Sequence, residues 1–123
     1  KEKEESGITE RIVTVCGADI SSGFTQKVIA YFDTHVDINL KDISDEFMLS
    51  KDYFGRLFKR QMNESFYRFV LKYKMEYGKY LLSHTDDRIY EVSEQLGYKT
   101  TDYFTKLFKE YTGTTPAEYR KKL

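Results

Sequence analysis

The second half of this chain repeats the first half, and that repeat constrains the fold more than any other feature. Residues 43–47, ISDEF, match residues 92–96, VSEQL, at an offset of 49. After one inserted residue, residues 52–59, DYFGRLFK, match residues 102–109, DYFTKLFK, at an offset of 50. Each copy has the pattern of a short helix, a tight turn and a second helix, which is the plan of a helix-turn-helix unit. The sequence therefore predicts an all-α fold built around two copies of one helical unit.

Apolar periodicity and capping residues predict seven helices and no sheet. The first helix begins at about Phe24, whose side chain shares one apolar face with Val28, Tyr31 and Phe32. The other predicted elements are a first helix-turn-helix at about 40–61, a long linker helix at about 65–83, a second helix-turn-helix at about 88–112 and a short helix from Pro116. The predicted N-terminal caps are Asn39, Ser50, residues 85–87 and Thr115, and the predicted C-terminal stops are Asn63 and Gly113.

Residues 1–23 differ from the rest of the chain. Residues 1–5 are a charge run, residues 12–15 (IVTV) favour β structure, and residues 21–23 (SSG) indicate a linker or a helix stop. The chain lacks a starting Met. We expect this segment to be a connector from a missing N-terminal regulatory domain.

The second helix of each unit has an apolar face and a polar face when it is drawn at 100° per residue. The apolar faces carry Phe54, Leu57 and Phe58 in the first copy and Phe104, Leu107 and Phe108 in the second. The polar faces carry Asp52, Arg56 and Lys59, then Asp102, Lys106 and Lys109. The three- and four-residue spacing of the phenylalanines favours core packing over the base-stacking platforms of a single-strand binder. A buried face that fixes the pose and an outer face of long donors are what a recognition helix needs.

The charge of the chain is unevenly distributed, although its formal net charge is zero. Residues 1–46 hold 5 basic and 10 acidic side chains, whereas residues 47–123 hold 15 basic and 10 acidic ones. Because the field of a charge falls off within ~10 Å at moderate salt, local sign matters more than the total. The basic excess in the part that carries the repeat is compatible with a nucleic-acid partner.

The predicted linker helix suits the spacing of grooves in DNA. Its ~19 residues span about 28 Å at 1.5 Å per residue. That length is close to the ~34 Å between successive major grooves on one face of B-DNA. The sequence therefore predicts that one monomer reads two adjacent groove segments.

Other function classes find little support. No apolar run approaches the ~18 residues that span a bilayer, and no signal peptide is visible. Cys16 is the single cysteine, and His35 and His84 are the only histidines, so we expect neither a disulfide nor a metal site. Asp86 and Asp87 are adjacent and make better caps than an acid–base pair. We expect no catalytic residue, no cofactor and no enzyme activity.

Residues 24–123 resemble the C-terminal DNA-binding domain of the AraC-type transcription regulators. The most specific matches are residues 97–109, 112–116 and 119–120, and residues 50–59 and 81–82 fit the first half of the pattern. The resemblance implies seven helices, two major-groove readers and a long linker helix. Gly78 and Lys74 stand where the family usually has alanine and arginine, and Asp52 and Asp102 are acidic at reader positions.

The repeat and the resemblance give a set of candidate DNA contacts. The candidate base-reading residues are Lys51, Asp52, Arg56, Thr101, Asp102, Thr105 and Lys106. The candidate phosphate contacts are Ser50, Lys59, Arg60, Lys99, Thr100 and Lys109. Two questions stay open. Arg56 and Lys106 either contact DNA or pair at i, i+4 with Asp52 and Asp102. The two aspartates either accept from cytosine N4 or only stabilise the positive N-terminus of their helix.

The expected function is sequence-specific binding of double-stranded DNA and transcription regulation. The expected partners are double-stranded DNA and RNA polymerase, with no membrane, no small-molecule ligand in this fragment, and dimerisation through the missing N-terminal part. The expected location is the bacterial cytoplasm, in association with the nucleoid. The rival interpretation is a helical protein–protein interaction module that has lost DNA reading, which the zero net charge and the two acidic reader positions favour.

Overall fold

A computed structural model describes residues 7–35 and 37–123, and within these residues all regular elements are helices. The predicted all-α class is confirmed, but the number of helices is eight in the described part of the chain, not seven. They are α1 (Ile8–Cys16), α2 (Gly23–Thr34), α3 (Leu40–Glu46), α4 (Lys51–Met62), α5 (Phe66–His84), α6 (Ile89–Gln95), α7 (Thr101–Thr112) and α8 (Pro116–Lys121). The charge run at residues 1–5 lies outside the described residues.

Helix α1 corrects the expectation that residues 12–15 favour β structure. Ile8, Ile12 and Val13 lie on one side of α1 and are buried, and α1 packs against α2. The Thr9 hydroxyl, itself buried, donates a hydrogen bond of 2.9 Å to Asp33 Oδ1 on α2. Burial of three large aliphatic side chains outweighs the small helix penalty of β-branched residues, which is a few tenths of a kcal/mol per residue.

The start of α2 corrects the interpretation of residues 21–23 as a linker or stop. Ser22 is the N-cap of α2, and its hydroxyl oxygen accepts from the backbone N–H of Thr25 at 3.5 Å. Gly23 is the first residue of the helix. A serine before an apolar stripe therefore begins a helix here instead of ending one.

The chain divides into two compact units, Lys1–Tyr73 and Lys74–Leu123. The boundary falls inside α5, so residues 66–73 of that helix belong to the first unit and residues 74–84 to the second. The first unit contains α1 to α4, and the second contains α6 to α8. Each unit therefore holds one of the two predicted helix-turn-helix copies.

An aromatic cluster forms the core of the first unit. Phe32, Phe54, Phe58 and Phe69 are fully buried, and Phe66 is 5% exposed. Their rings meet edge to face, with centroids 5.1 Å apart for Phe32–Phe69 and 5.3 Å apart for Phe58–Phe69. Such pairs add about 0.5–1.5 kcal/mol each beyond the area they bury. The phenylalanines of α4 are thus core residues, as their spacing predicts.

The second unit repeats this arrangement with a smaller cluster. Phe104 and Phe108 of α7 are fully buried, and Phe108 packs edge to face on Tyr119 of α8 at 5.5 Å. Arg120 of α8 donates to three backbone carbonyls at the end of α5 and in the following loop. The acceptors are Leu82 O at 3.1 Å, Thr85 O at 3.2 Å and Asp87 O at 2.5 Å. This guanidinium ties α8 to the C-terminus of α5.

Most predicted caps are confirmed, and one is wrong. Asn39, Ser50 and Thr115 each accept a backbone N–H three residues ahead, and Asn63 and Gly113 have the left-handed φ values of 61° and 91°. Residues 85–87 do not supply the cap of α6. Its N-cap is Arg88, whose backbone N–H donates to Glu91 Oε1 at 2.7 Å, while the Asp87 carboxylate accepts from Gln95.

Candidate nucleic-acid interface

The turn of each helix-turn-helix contains one residue in the left-handed conformation. That residue is Met48 (φ 60°) between α3 and α4, and Gly97 (φ 87°) between α6 and α7. The next backbone N–H, from Leu49 or Tyr98, donates to a serine carbonyl of the preceding helix, at 2.9 Å to Ser44 and 3.1 Å to the equivalent Ser93. The two turns thus have the same hydrogen-bond pattern, and each sets the direction in which its second helix leaves.

Each second helix is capped by a hydroxyl at its N-terminus. Ser50 Oγ accepts from Tyr53 N at 3.1 Å, and Thr100 Oγ1 accepts from Tyr103 N at 3.2 Å. Both capping residues are exposed. The hydroxyl hydrogen of such a cap still has the capacity to donate to a phosphate oxygen, and the helix N-terminus carries partial positive charge. The cap is therefore compatible with the phosphate role predicted for Ser50 and Thr100.

The polar face of α4 opens onto a groove of about 850 Å³ in the first unit. Its lining residues are Asn39, Leu40, Lys41, Lys51, Asp52, Gly55, Arg56, Lys59, Arg60 and Tyr67. Five of these carry a positive charge and one carries a negative charge. The groove therefore presents a cationic, concave surface along the length of the helix, which suits a phosphate backbone.

Five of the six candidate residues of the first unit line this groove: Lys51, Asp52, Arg56, Lys59 and Arg60. The sixth, Ser50, lies at the cap of α4. Their side chains are exposed, whereas Phe54 and Phe58 on the other side of the same helix are fully buried. The structure therefore brings the predicted contacts of this unit together on one surface.

Arg56 and Asp52 form an ion pair, as one of the two open alternatives predicts. Arg56 Nη1 lies 2.8 Å from Asp52 Oδ2, with 66% of the Arg56 side chain and 89% of the Asp52 side chain exposed. A solvated i, i+4 pair of this kind contributes about 0.3–0.5 kcal/mol, so it is easily exchanged for a contact with DNA. In the described part of the second unit, no ion pair joins Lys106 to Asp102.

The candidates of the second unit follow the same pattern on α7 and its N-terminus. Lys99, Thr100, Asp102, Lys106 and Lys109 are exposed, and Thr101 and Thr105 are half-buried. The residues of α7 occupy the helical positions that their counterparts occupy on α4.

The turn of this unit is anchored by Tyr98. Its ring stacks on Phe104 with centroids 5.8 Å apart and lies 4.8 Å from Lys74 Nζ. Burial raises the pKa of Tyr98 to about 12.

Sequence reasoning missed five residues of the groove: Asn39, Leu40, Lys41, Gly55 and Tyr67. Asn39 and Lys41 come from the start of α3, and Tyr67, which is 71% exposed, comes from the start of α5. No periodicity within α4 reveals residues of other helices. Gly55 is different, because the helical wheel places it between Lys51 and Lys59 on the polar face. Its place in the groove was therefore predictable from the helical periodicity of α4.

Other kinds of site find no support in the described residues. No group of histidine, cysteine, aspartate and glutamate side chains in residues 7–35 and 37–123 is arranged to hold a metal ion. None of the helices in that part of the chain combines the length and the apolar character that a membrane span requires. Burial raises the pKa of the Cys16 thiol above its ordinary value, which lowers the fraction of reactive thiolate at neutral pH.

Comparison with known families and proteins gives consistent results. Residues 43–122 match a family of helix-turn-helix domains. Over 100 residues the chain is 33% identical to the regulatory protein PocR of Salmonella typhimurium, and the match covers 80% of this chain and 33% of PocR. Over 110 residues it is 32% identical to the transcriptional activator PerA of Escherichia coli, and that match covers 88% of this chain and 40% of PerA. The chain thus spans between about a third and two fifths of these relatives.

Solved structures share the fold. The C-terminal domain of the two-component response regulator yesN from Fusobacterium nucleatum superposes with a TM-score of 0.75 at 29% identity, covering 80% of this chain and 99% of that one. The C-terminal domain of AraT, a response regulator from Geobacillus stearothermophilus, gives a TM-score of 0.67 at 28% identity, covering 94% and 85%. The DNA-binding domain of AdpA, solved in complex with a target DNA, has the same fold at 20% identity, with a TM-score of 0.71 and coverage of 77% and 87%.

Proposed function

Because the chain belongs to the AraC-type family of helix-turn-helix transcription regulators, we propose that it binds double-stranded DNA at specific sequences and regulates transcription. The observation that carries the proposal is the cationic groove along the exposed face of α4. The repeat places a second set of donors on α7, and the 19-residue helix α5 joins the two copies. We infer that α4 and α7 are recognition helices that read adjacent major-groove segments.

Base reading is assigned to side chains near the N-terminal half of each recognition helix. Arg56 has the fork of donors that matches guanine O6 and N7, and release from Asp52 costs little because the pair is solvated. Lys106 takes the equivalent position on α7. Lys51, Thr101 and Thr105 flank these positions, and the two reader aspartates accept from cytosine N4 or stabilise the helix N-terminus.

Phosphate contacts position each helix and supply most of the salt dependence of binding. Four cations are assigned to phosphates, namely Lys59, Arg60, Lys99 and Lys109, with the caps Ser50 and Thr100 as neutral donors. Four neutralised phosphates give a slope of log K against log salt of roughly −3.6, at about −0.9 for each. Affinity should then fall roughly 150-fold between 50 and 200 mM salt.

The test pairs a base-reading variant with a phosphate variant on the same helix. A cognate duplex is first selected from a random pool with the wild-type chain. Arg56→Ala should weaken binding to it by about 1–3 kcal/mol, roughly 5- to 150-fold, and relax base choice at one position. Arg60→Ala should weaken binding to every sequence by a similar factor and reduce the salt slope by about one.

Fluorescence anisotropy with the selected duplex, single-base variants of it and random duplexes measures all of these quantities. Equal loss on every sequence for Arg56→Ala would leave only a phosphate role for that residue. Failure of the wild-type chain to bind any duplex across the salt series would instead favour the rival function, a protein–protein interaction module.

The partners and location of the whole protein extend this proposal. We infer that the protein works in the bacterial cytoplasm at the nucleoid, where it contacts RNA polymerase. Residues 1–23, whose helix α1 also packs against α2, would connect residues 24–123 to a regulatory domain, through which the protein dimerises. Pull-down of RNA polymerase on promoter DNA by the full-length protein, compared with the same protein on non-cognate DNA, tests the first of these contacts.

A further inference from the structure

Gly55 stands in the middle of the recognition helix α4, and it lines the cationic groove. On the helical wheel it lies between Lys51 and Lys59, about 40° from each, where the polar face adjoins the buried face. Glycine in a helix interior destabilises the helix relative to alanine, because it exposes the backbone and loses more entropy on folding. A destabilising residue in the lining of this groove calls for a physical reason.

The fold gives no reason for a glycine at this position. A Cβ atom built on Gly55 meets nothing within 4 Å, and its φ angle is not in the left-handed region. Gly78 on α5 is a useful contrast, because a Cβ there would lie 3.2 Å from Leu96 Cδ1. Space is therefore tight beside Gly78 and open beside Gly55.

The repeat supplies a second, independent observation. The residue of α7 that corresponds to Gly55 is Thr105, which is half-buried within a regular helix. The same helical register in the same kind of unit thus accepts a β-branched side chain. Neither the packing of the helix nor its backbone demands a missing side chain at this register.

We propose that Gly55 is the point of closest approach between α4 and the DNA, and that its missing side chain sets how deeply the helix sits in the major groove. The inference rests on the proposed DNA-binding function and adds a specificity-determining residue to it. Lys51 and Lys59 flank Gly55 on the helical wheel, and Arg56 follows it in the chain, so the depth of the helix decides which base edges and phosphates these side chains reach. A methyl group at residue 55 would fill the space that a base edge or its substituent occupies and lift the whole reading face.

The experiment compares added side-chain volume at two glycines that both face open space. Gly55→Ala and Gly55→Thr, the latter copying Thr105, are placed beside the control Gly23→Ala. Gly23 is exposed at the start of α2, does not line the groove, and also has nothing within 4 Å of a built Cβ. Each variant of the 123-residue chain is measured for thermal unfolding and for anisotropy with the duplex selected by the wild-type protein.

We expect Gly55→Ala to raise Tm by about 2–5 °C and to weaken binding roughly tenfold, the equivalent of about one lost bidentate base contact. Gly55→Thr should bind more weakly still, and Gly23→Ala should bind within about twofold of the wild type. A gain in stability with a loss in affinity cannot arise from a structural role.

The inference is overturned by two results that leave the proposed function intact. One is a Gly55→Ala affinity within about twofold of the wild type. The other is a lowered Tm for Gly55→Ala, which would make the glycine a requirement of the fold. If the wild-type chain binds no duplex at all, the proposed function fails and this inference fails with it.

Discussion

Replacement of Met48 by glycine should stabilise the protein. Met48 has a φ of 60° in the first helix-turn-helix turn, whereas the second copy has Gly97 at the same place with a φ of 87°. A non-glycine residue in the left-handed region costs roughly 1–2 kcal/mol. Part of this gain, about 0.5–1 kcal/mol, is lost because glycine gives the unfolded chain more conformational entropy. The Met48 side chain is 88% exposed, so little packing is lost, and the expected net gain is about 0.5–1 kcal/mol.

Urea unfolding followed by circular dichroism measures this gain, and Met48→Ala is the matched control. Alanine removes the same exposed side chain but keeps the Cβ that makes the left-handed conformation unfavourable. Gly97→Ala, the reverse change in the second copy, should lose about 1 kcal/mol. If Met48→Ala gains as much as Met48→Gly, the strain argument is wrong. Met48 does not line the groove of α4, so DNA affinity should stay within about twofold.

Two further sets of variants test the second unit. Arg120→Ala should lower the free energy of unfolding by about 2–3 kcal/mol, because three buried or partly buried carbonyls lose their donor. Arg120→Lys should recover less than half of this loss, since one ammonium group cannot reach all three carbonyls. Full recovery by lysine, measured by urea unfolding, would refute the role of the guanidinium. Burial raises the pKa of Tyr98 to about 12, so the folded protein favours the neutral phenol over the phenolate. The resulting contribution to the free energy of unfolding is present below about pH 10 and is lost as the pH rises towards 12. After allowance for its partial exposure, wild-type protein should lose about 1 kcal/mol more than Tyr98→Phe over that range, and equal losses in alkaline urea unfolding would contradict the assignment.

The sequence predicted best those features that depend on residues close together in the chain. Ser50 and Thr115 accept backbone N–H groups three residues ahead, so the hydroxyl position alone marks a helix start. Asn63 and Gly113 end helices because their backbones tolerate a positive φ. The polar face of α4 was equally predictable, since it follows from 3.6 residues per turn. Whether that face reads DNA remains a prediction.

Features that depend on tertiary contacts were not predictable in this way. Residues 12–15 look β-favouring because each of them is β-branched, and only the burial of Ile12 and Val13 against α2 makes them helical. The walls of the groove have the same origin. Lys41 and Tyr67 lie on α3 and α5, and the sequence gives no distance between those helices and α4. Local sequence patterns thus predict the wall of the groove formed by α4, whereas the walls formed by α3 and α5 depend on tertiary packing.

The two copies place glycine at different positions, and that difference separates stability from DNA binding. In the second copy, Gly97 occupies the left-handed turn and Thr105 the helix interior, as backbone preferences favour. In the first copy the order is reversed, with Met48 in the turn and Gly55 in the helix. Both reversals should lower stability, yet of the two residues only Gly55 lines the cationic groove. Met48→Gly should therefore raise stability and leave DNA affinity unchanged, whereas Gly55→Ala should raise stability and weaken DNA binding.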